Sequence, residues 1–135
     1  MIRVSRLDHV ALPVADMDRS LAWYQRMFGL VHTYKKEWGT DPAFLCVGGT
    51  CIALLDAKGV APSVVPVTQR HVCFLADQEV FLGAMDFLGK EGIPFQVDDH
   101  QVSRSLYFQD PDGHWIEITC YRPGLEPGSP PKNRE

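Results

Sequence analysis

The sequence predicts an α+β fold of two paired βαβββ modules, whose strands form a curled mixed sheet around a cleft with the helices outside. Three observations predict it. First, the chain repeats itself: Leu7-Asp-His-Val-Ala-Leu12 resembles Gln69-Arg-His-Val-Cys-Phe74, and Cys51-Ile-Ala-Leu-Leu55 resembles Trp115-Ile-Glu-Ile-Thr119. These matches set His9 over His71 and Ala53 over Glu117, at offsets of 62 and 64 residues, which is close to one period. Second, each half holds one capped, amphipathic helical stretch. Third, the remaining apolar stretches alternate with a period of two, as half-buried strands do.

In chain order, residues 5–12 alternate as a strand, with Leu7, His9 and Ala11 on one face. Asp16 is an N-cap and Gly29 a stop for a helix over 17–28, with Leu21, Tyr24 and Phe28 on the side that covers the sheet. Strands are predicted over 31–38, 43–47 and 51–55, with Gly48-Gly49 as the turn between the last two. The second half repeats this order. A strand over 70–75 precedes a helix over 78–90, which Asp77 caps and Gly92 ends, and whose sheet-facing residues are Phe81, Met85 and Leu88. Strands over 93–97, 103–109 and 114–121 follow, the last two joined by an Asp110-Pro-Asp-Gly113 turn. The expected division is one domain over 1–122, with halves at about 3–57 and 68–122. Residues 60–67, with Pro62 and Pro66, form the linker, and 123–135 a flexible tail.

The chain has 135 residues, a 45% hydrophobic and 22% charged composition and a net charge of −4. That is the profile of one globular domain. No basic stripe is present, so nucleic acid is not an expected partner. No apolar run reaches membrane-spanning length, and the N-terminal residues lack the apolar core of a signal peptide. A cytoplasmic protein is expected. The four cysteines, Cys46, Cys51, Cys73 and Cys120, form no CxxC pair and lie in apolar runs. They read as small buried hydrophobes in a reducing compartment.

Strand alternation brings the chemistry into view. His9, His71 and Glu117 each fall in a predicted strand, on the face opposite a uniformly apolar one: Val10 and Leu12, Val72 and Phe74, Ile116 and Ile118. The apolar faces meet the helices, so the three polar side chains point into the cleft. A single strand His or Glu is ordinarily a hydrogen-bonded residue without chemistry. Three at related repeat positions, with the carboxylate set among Trp115, Ile116 and Ile118, favour a bound cation, because a buried Glu is expensive without one. Two neutral imidazoles and one carboxylate suit Fe(II), Mn(II), Zn(II) or Ni(II) and leave coordination positions open.

The segments Leu7-Asp-His-Val-Ala-Leu12, Trp23-Tyr24-Gln-Arg-Met-Phe-Gly29 and Leu106-Tyr-Phe-Gln-Asp-Pro-Asp-Gly-His-Trp-Ile-Glu117 resemble the vicinal oxygen chelate superfamily, the glyoxalase/bleomycin-resistance/dioxygenase proteins. The resemblance implies metal ligation by His9, His71 and Glu117, with Fe(II) or Mn(II) favoured, and a small substrate that binds through two adjacent oxygens. It also implies a homodimer. Glyoxalase I proteins carry a fourth ligand where Ala53 stands here, so a four-ligand site is not expected. Extradiol dioxygenases and fosfomycin-modifying enzymes place a Tyr ten residues before the Glu, where Tyr107 stands, to bond a substrate oxygen. The other reading of Tyr107 is a strand aromatic packed on Trp115. Extradiol enzymes also use a His before that Tyr as acid/base. His100 lies in this region, although the surrounding Asp98-Asp99-His100-Gln101 also reads as a solvated loop. Fosfomycin thiol transferases have Thr where Ala11 stands and a phosphonate-binding Arg beyond the final Glu, near Arg122.

Three functions follow from the resemblance. A metal-dependent dioxygenase leads. A lyase, isomerase or fosfomycin-type transferase that uses the metal as a Lewis acid is second. A metal-free drug-binding resistance protein is third, and the intact ligand set weighs against it.

Overall fold

The computed structural model describes residues 1, 3, 6–60 and 70–127. The chain divides into two compact units. One comprises Met1–Val64 with Asp110–Gly113, the other Val65–Gln109 with His114–Glu135. Most of the expected linker (61–67), the start of the first expected strand at Ser5 and the end of the expected tail (128–135) lie outside the described residues.

In the first unit, β1 (His9–Val14) leads into α1 (Met17–Phe28), and β2 (Val31–Thr33), β3 (Ala43–Val47) and β4 (Thr50–Asp56) complete a sheet of order β1-β4-β3-β2. β1 runs parallel to β4, and the other pairs are antiparallel. α1 starts and stops where its sequence signals place it. The Asp16 carboxylate accepts from Arg19 N at 3.0 Å, and Gly29 closes the helix at φ 61°, a left-handed turn that glycine adopts without strain. A cap of this kind is worth about 1 kcal/mol. The helix buries Tyr24 and half-buries Leu21 and Phe28. The sheet face with Leu12, Val14, Leu45, Ile52 and Leu54 is buried, as the alternation requires.

The structure corrects three expectations in this unit and its cysteines. The strand expected over 31–38 stops at Thr33. Tyr34 takes a left-handed conformation, and one helical turn, α2 (Lys35–Trp38), follows. Trp38 N donates to Tyr34 O at 2.8 Å, so the chain curls back and does not extend the sheet. The cysteines are not all small buried hydrophobes. Cys46 and Cys51 pair across the β3–β4 hairpin and form a disulfide, while Cys73 is exposed and Cys120 half-buried. Finally, residues 6–8 of the first expected strand are not paired as strand, and β1 begins at His9.

The second unit has the same plan. β5 (Val72–Leu75), α3 (Gln78–Lys90), β6 (Gln96–Asp99), β7 (Ser103–Gln109) and β8 (Trp115–Tyr121) form a sheet of order β5-β8-β7-β6, with β5 parallel to β8. Asp77 caps α3 by accepting from Val80 N at 2.8 Å. Phe81 and Leu88 are buried against the sheet face that carries Leu106, Phe108, Ile116 and Ile118, and the Arg104 guanidinium lies 5.4 Å over the Phe81 ring. The strand expected over 93–97 forms at Gln96–Asp99, since Pro94 cannot donate a ladder hydrogen bond.

The repeat is legible in the registers. Ala11 pairs with Ala53 in the first unit, and Cys73 pairs with Glu117 in the second. Ala53 is thus the topological counterpart of Glu117, and His9 that of His71. Each sheet is open, mixed and covered by its helix on one face, so the α+β architecture is the one the sequence predicts.

The Asp110–Gly113 turn does more than reverse the chain. Asp112, its side chain almost wholly buried, accepts from Ala15 N at 3.0 Å, Ser20 Oγ at 3.1 Å and Arg19 Nη2 at 3.2 Å. The fully buried Tyr24 hydroxyl donates to Asp110 Oδ2 at 2.8 Å. Burial, then the neighbouring Asp110 charge, hold the Tyr24 phenol far above its ordinary range, so it remains a donor.

Candidate metal and acid–base site

Glu117 sits in the middle of β8, on the face away from α3, and is buried at 8% exposure. His71 Nε2 donates to its Oε2 at 2.9 Å. His71 is the residue just before β5, and His9 is the first residue of β1, so neither histidine is a strand-interior residue as expected. At a strand's entrance the backbone still holds the ring on the sheet's face, while one side stays open: the two side chains are 35% and 41% exposed. His9 belongs to the first unit, where its Nδ1 donates to Asp8 Oδ2 at 2.9 Å and its ring lies 4.9 Å from that of Phe44. Within neither unit do three described His, Cys, Asp or Glu side chains gather into a metal-holding cluster. The structure brings two of the expected ligands together in one unit and places the third in the other.

Around Glu117 the second unit brings together the two acid–base candidates, Tyr107 and His100. β7 pairs with β8 so that Tyr107 stands directly opposite Glu117. His100 Nε2 and Tyr107 Oη share a hydrogen bond of 2.9 Å, and the rings of His71 and His100 approach Tyr107 edge-on at 6.0 and 6.3 Å. His100 is thus exposed, as a loop residue is, yet hydrogen-bonded to the second candidate. Tyr107 and Trp115 line a common cavity of about 250 Å³ with Ile93, Pro94, Phe95, Gln96 and Gln109. Burial, followed by the Glu117 charge, raises the Tyr107 phenol above its usual range. Although Cys73 as a residue is exposed, partial desolvation of its thiol on the sheet, then the Glu117 charge, push the thiol up to about 12.

Cys73 is the neighbour that reading the sequence missed. Its alignment with Glu117 in the β5–β8 register was available from the repeat, two residues beyond His71. Other residues find structural roles. His32 Nε2 donates to Gly39 O at 3.1 Å and closes the α2 loop. His114 is buried just before β8. Arg122 bonds Gln101 O and lies 3.4 Å from Asp99, so it fastens the β6–β7 loop.

Chemically, an imidazole nitrogen and a buried carboxylate converging at hydrogen-bond distance fit a divalent cation of intermediate softness. A phenol bridged to an imidazole fits proton transfer.

Two open four-stranded sheets of matching order, with His9 and His71 at equivalent places in the repeat, define a tandem βαβββ protein. The chain belongs to the Glyoxalase/Bleomycin resistance protein/Dioxygenase superfamily, whose family model matches residues 6–118. It is 28% identical over 123 residues to the metallothiol transferase FosB of Staphylococcus epidermidis, covering 87% of this chain and 82% of that one. It is 31% identical over 126 residues to the catechol-2,3-dioxygenase of Bacillus subtilis, covering 88% of this chain but 42% of that longer protein. The crystal structure of a glyoxalase/dioxygenase from Nostoc punctiforme superposes with a TM-score of 0.71 at 26% identity, over 87% of this chain and 91% of that one. Among the described residues, no helix is long and apolar enough to cross a membrane.

Proposed function

We propose that this chain is a divalent-metal-dependent dioxygenase acting on a small substrate that presents two adjacent oxygens, an aromatic diol being the simplest case. The observation that carries the reading is the His100–Tyr107 hydrogen bond of 2.9 Å beside Glu117 and His71. A diol must lose a proton to bind through both oxygens. His100 accepts or returns that proton, and the Tyr107 hydroxyl orients the neighbouring oxygen. Burial of Tyr107 and Glu117 keeps competing water from these atoms. His9, His71 and Glu117 would hold the cation, Fe(II) or Mn(II) before Zn(II) or Ni(II), which would supply Lewis acidity and, with Fe(II), a path for electrons from the diol to dioxygen.

A Lewis-acid thiol transfer is the second reading, favoured by the likeness to the metallothiol transferase over most of both chains. Two features weigh against it. Ala11 offers no hydroxyl, and Arg122 is committed to Gln101 and Asp99. The deciding experiment loads the protein anaerobically with Fe(II), adds catechol or 2,3-dihydroxybiphenyl and follows oxygen at an electrode. In parallel, Mn(II)-loaded protein is given fosfomycin with glutathione or cysteine, and free thiol is counted. Oxygen uptake with ring-cleaved product supports the dioxygenase. Thiol loss without oxygen uptake replaces it with the transferase.

A further inference from the structure

The Cys46–Cys51 disulfide lies where the fold does not need one. The two residues are direct partners across the β3–β4 hairpin, with Cα atoms 4.1 Å apart and a sequence separation of 5. The ladder runs from Ala43 opposite Leu54 to Val47 opposite Thr50, one rung beyond the cysteines, and already closes the hairpin. A cross-link stabilises chiefly by restricting the unfolded chain, and that gain is least for so short a loop. The ladder also keeps the two sulfurs within bonding reach when the bond is open.

The sulfurs are accessible. Ile52 and Leu54 are buried on the helix-covered face, so by alternation Cys51 and its partner Cys46 project from the opposite face. Both are half-buried, and residues 47–50 beyond them are exposed. The Arg6 guanidinium lies against Gly49, where any Cβ would collide with it. It puts a positive charge at the end of the hairpin, which attracts an attacking thiolate. The same rung continues into β1. His9 stands opposite Cys51 in the parallel ladder, Cys51 N donates to Asp8 O at 3.1 Å, and His9 Nδ1 donates to Asp8 Oδ2 at 2.9 Å. Residues 6–8 have no strand pairing, so the Cys51 amide ties Asp8, and through it the His9 ring, to the sheet.

We propose that Cys46 and Cys51 are a redox-active pair, opened by a small thiol and closed by a hydroperoxide, and that the closed bond steadies Asp8 and His9. In opening, a thiolate attacks one Sγ, the S–S electron pair leaves on the other, and a mixed disulfide forms. A second thiolate then displaces the protein sulfur, which leaves two cysteine thiols and one disulfide of the small thiol. In closing, one cysteine thiolate takes an oxygen from the hydroperoxide, releasing water or an alcohol once a proton is taken up. The other cysteine displaces water from the resulting sulfenic acid, and the disulfide forms. The proposal goes beyond the dioxygenase reading and does not depend on it, because the metal-free chain carries both the pair and its effect.

The test uses the full-length chain in EDTA, without denaturant. It is equilibrated in glutathione buffers of varied reduced-to-oxidised ratio, blocked with iodoacetamide and mapped by mass spectrometry. Cys46 and Cys51 should gain and lose the label together as the ratio varies, whereas the free thiols Cys73 and Cys120 show no such joint transition. Hydrogen peroxide added to the reduced, glutathione-free chain should close the pair again. Amide exchange at Cys51, followed by NMR, should rise several-fold on reduction, with that of β8 unchanged. Cys46→Ser, which cannot close, should show the fast exchange in every buffer. A bond that glutathione opens only when denaturant is added is a structural staple and overturns the proposal. So does a pair that still takes the label after peroxide, or Cys51 exchange that is equal in the two states.

Discussion

Tyr24→Phe removes one oxygen from the interior and takes a donor away from a carboxylate. The Tyr24 side chain is fully buried and its hydroxyl donates to Asp110 Oδ2 at 2.8 Å, while Asp110 Oδ1 accepts from Asp112 N at 2.9 Å. A buried hydrogen bond to a charged acceptor contributes about 1.5–3 kcal/mol. At roughly 2.1 cal/mol/K of unfolding entropy per residue, a chain of this length loses about 3–4 °C per kcal/mol, so the melting temperature should fall by roughly 5–11 °C. Calorimetry on the full chain measures it. The pH dependence adds a check. The folded phenol is held above its ordinary value of 10.0, so its contribution is fully present below that value. It is lost as pH rises beyond it, where the unfolded chain alone ionises. The gap between wild type and variant should stay constant from about pH 7 to 9 and narrow above about pH 10. A gap under about 1 °C, well below the shift expected from the lost bond, or one that widens above that pH, refutes the reasoning.

Two further outcomes follow from the site and the fold. His100→Gln retains a hydrogen-bonding partner for Tyr107 but cannot move a proton at neutral pH. It should lower kcat for diol-dependent oxygen uptake by about 10²–10⁴-fold, the usual weight of a general acid–base group, with KM and melting temperature little changed. An unaltered kcat removes His100 from the reaction. Each open sheet leaves edges and one face without a helix, so a homodimer is expected in sedimentation at micromolar concentration. A monomer there contradicts it.

Much of the fold was legible because local signals and the global repeat agreed. Asp16, Gly29 and Asp77 bound α1 and α3 to the residue, since capping is a short-range interaction written in the sequence. α2 was not legible. Its single turn depends on Tyr34 entering a left-handed conformation and on Trp38 packing beside Phe44, both tertiary effects. The Cys46–Cys51 bond was hidden by an assumption about compartment, although the Gly48-Gly49 turn already set residue 46 opposite residue 51. Glu117 was readable from alternation. The His100–Tyr107 bond was not, because it depends on how the β6–β7 hairpin returns. The Asp110-Pro-Asp-Gly113 turn lies within the Leu106–Glu117 segment that carries part of the family resemblance, yet its carboxylates anchor Tyr24, Ser20 and Arg19. A family motif can mark a structural joint beside a site as readily as the site itself.

That His9, His71 and Glu117 together hold one divalent cation is tested most directly by Mn(II) titration followed by electron paramagnetic resonance, on wild type and on His9→Ala, His71→Ala and Glu117→Gln. One tightly held ion per chain is expected in wild type. Each variant should weaken binding by more than the roughly 10–100-fold that loss of an outer partner costs, with the melting temperature of metal-free His9→Ala close to that of wild type. Wild-type protein that holds no Mn(II) at millimolar concentration, or a His9→Ala variant that binds it as wild type does, contradicts the three-ligand site.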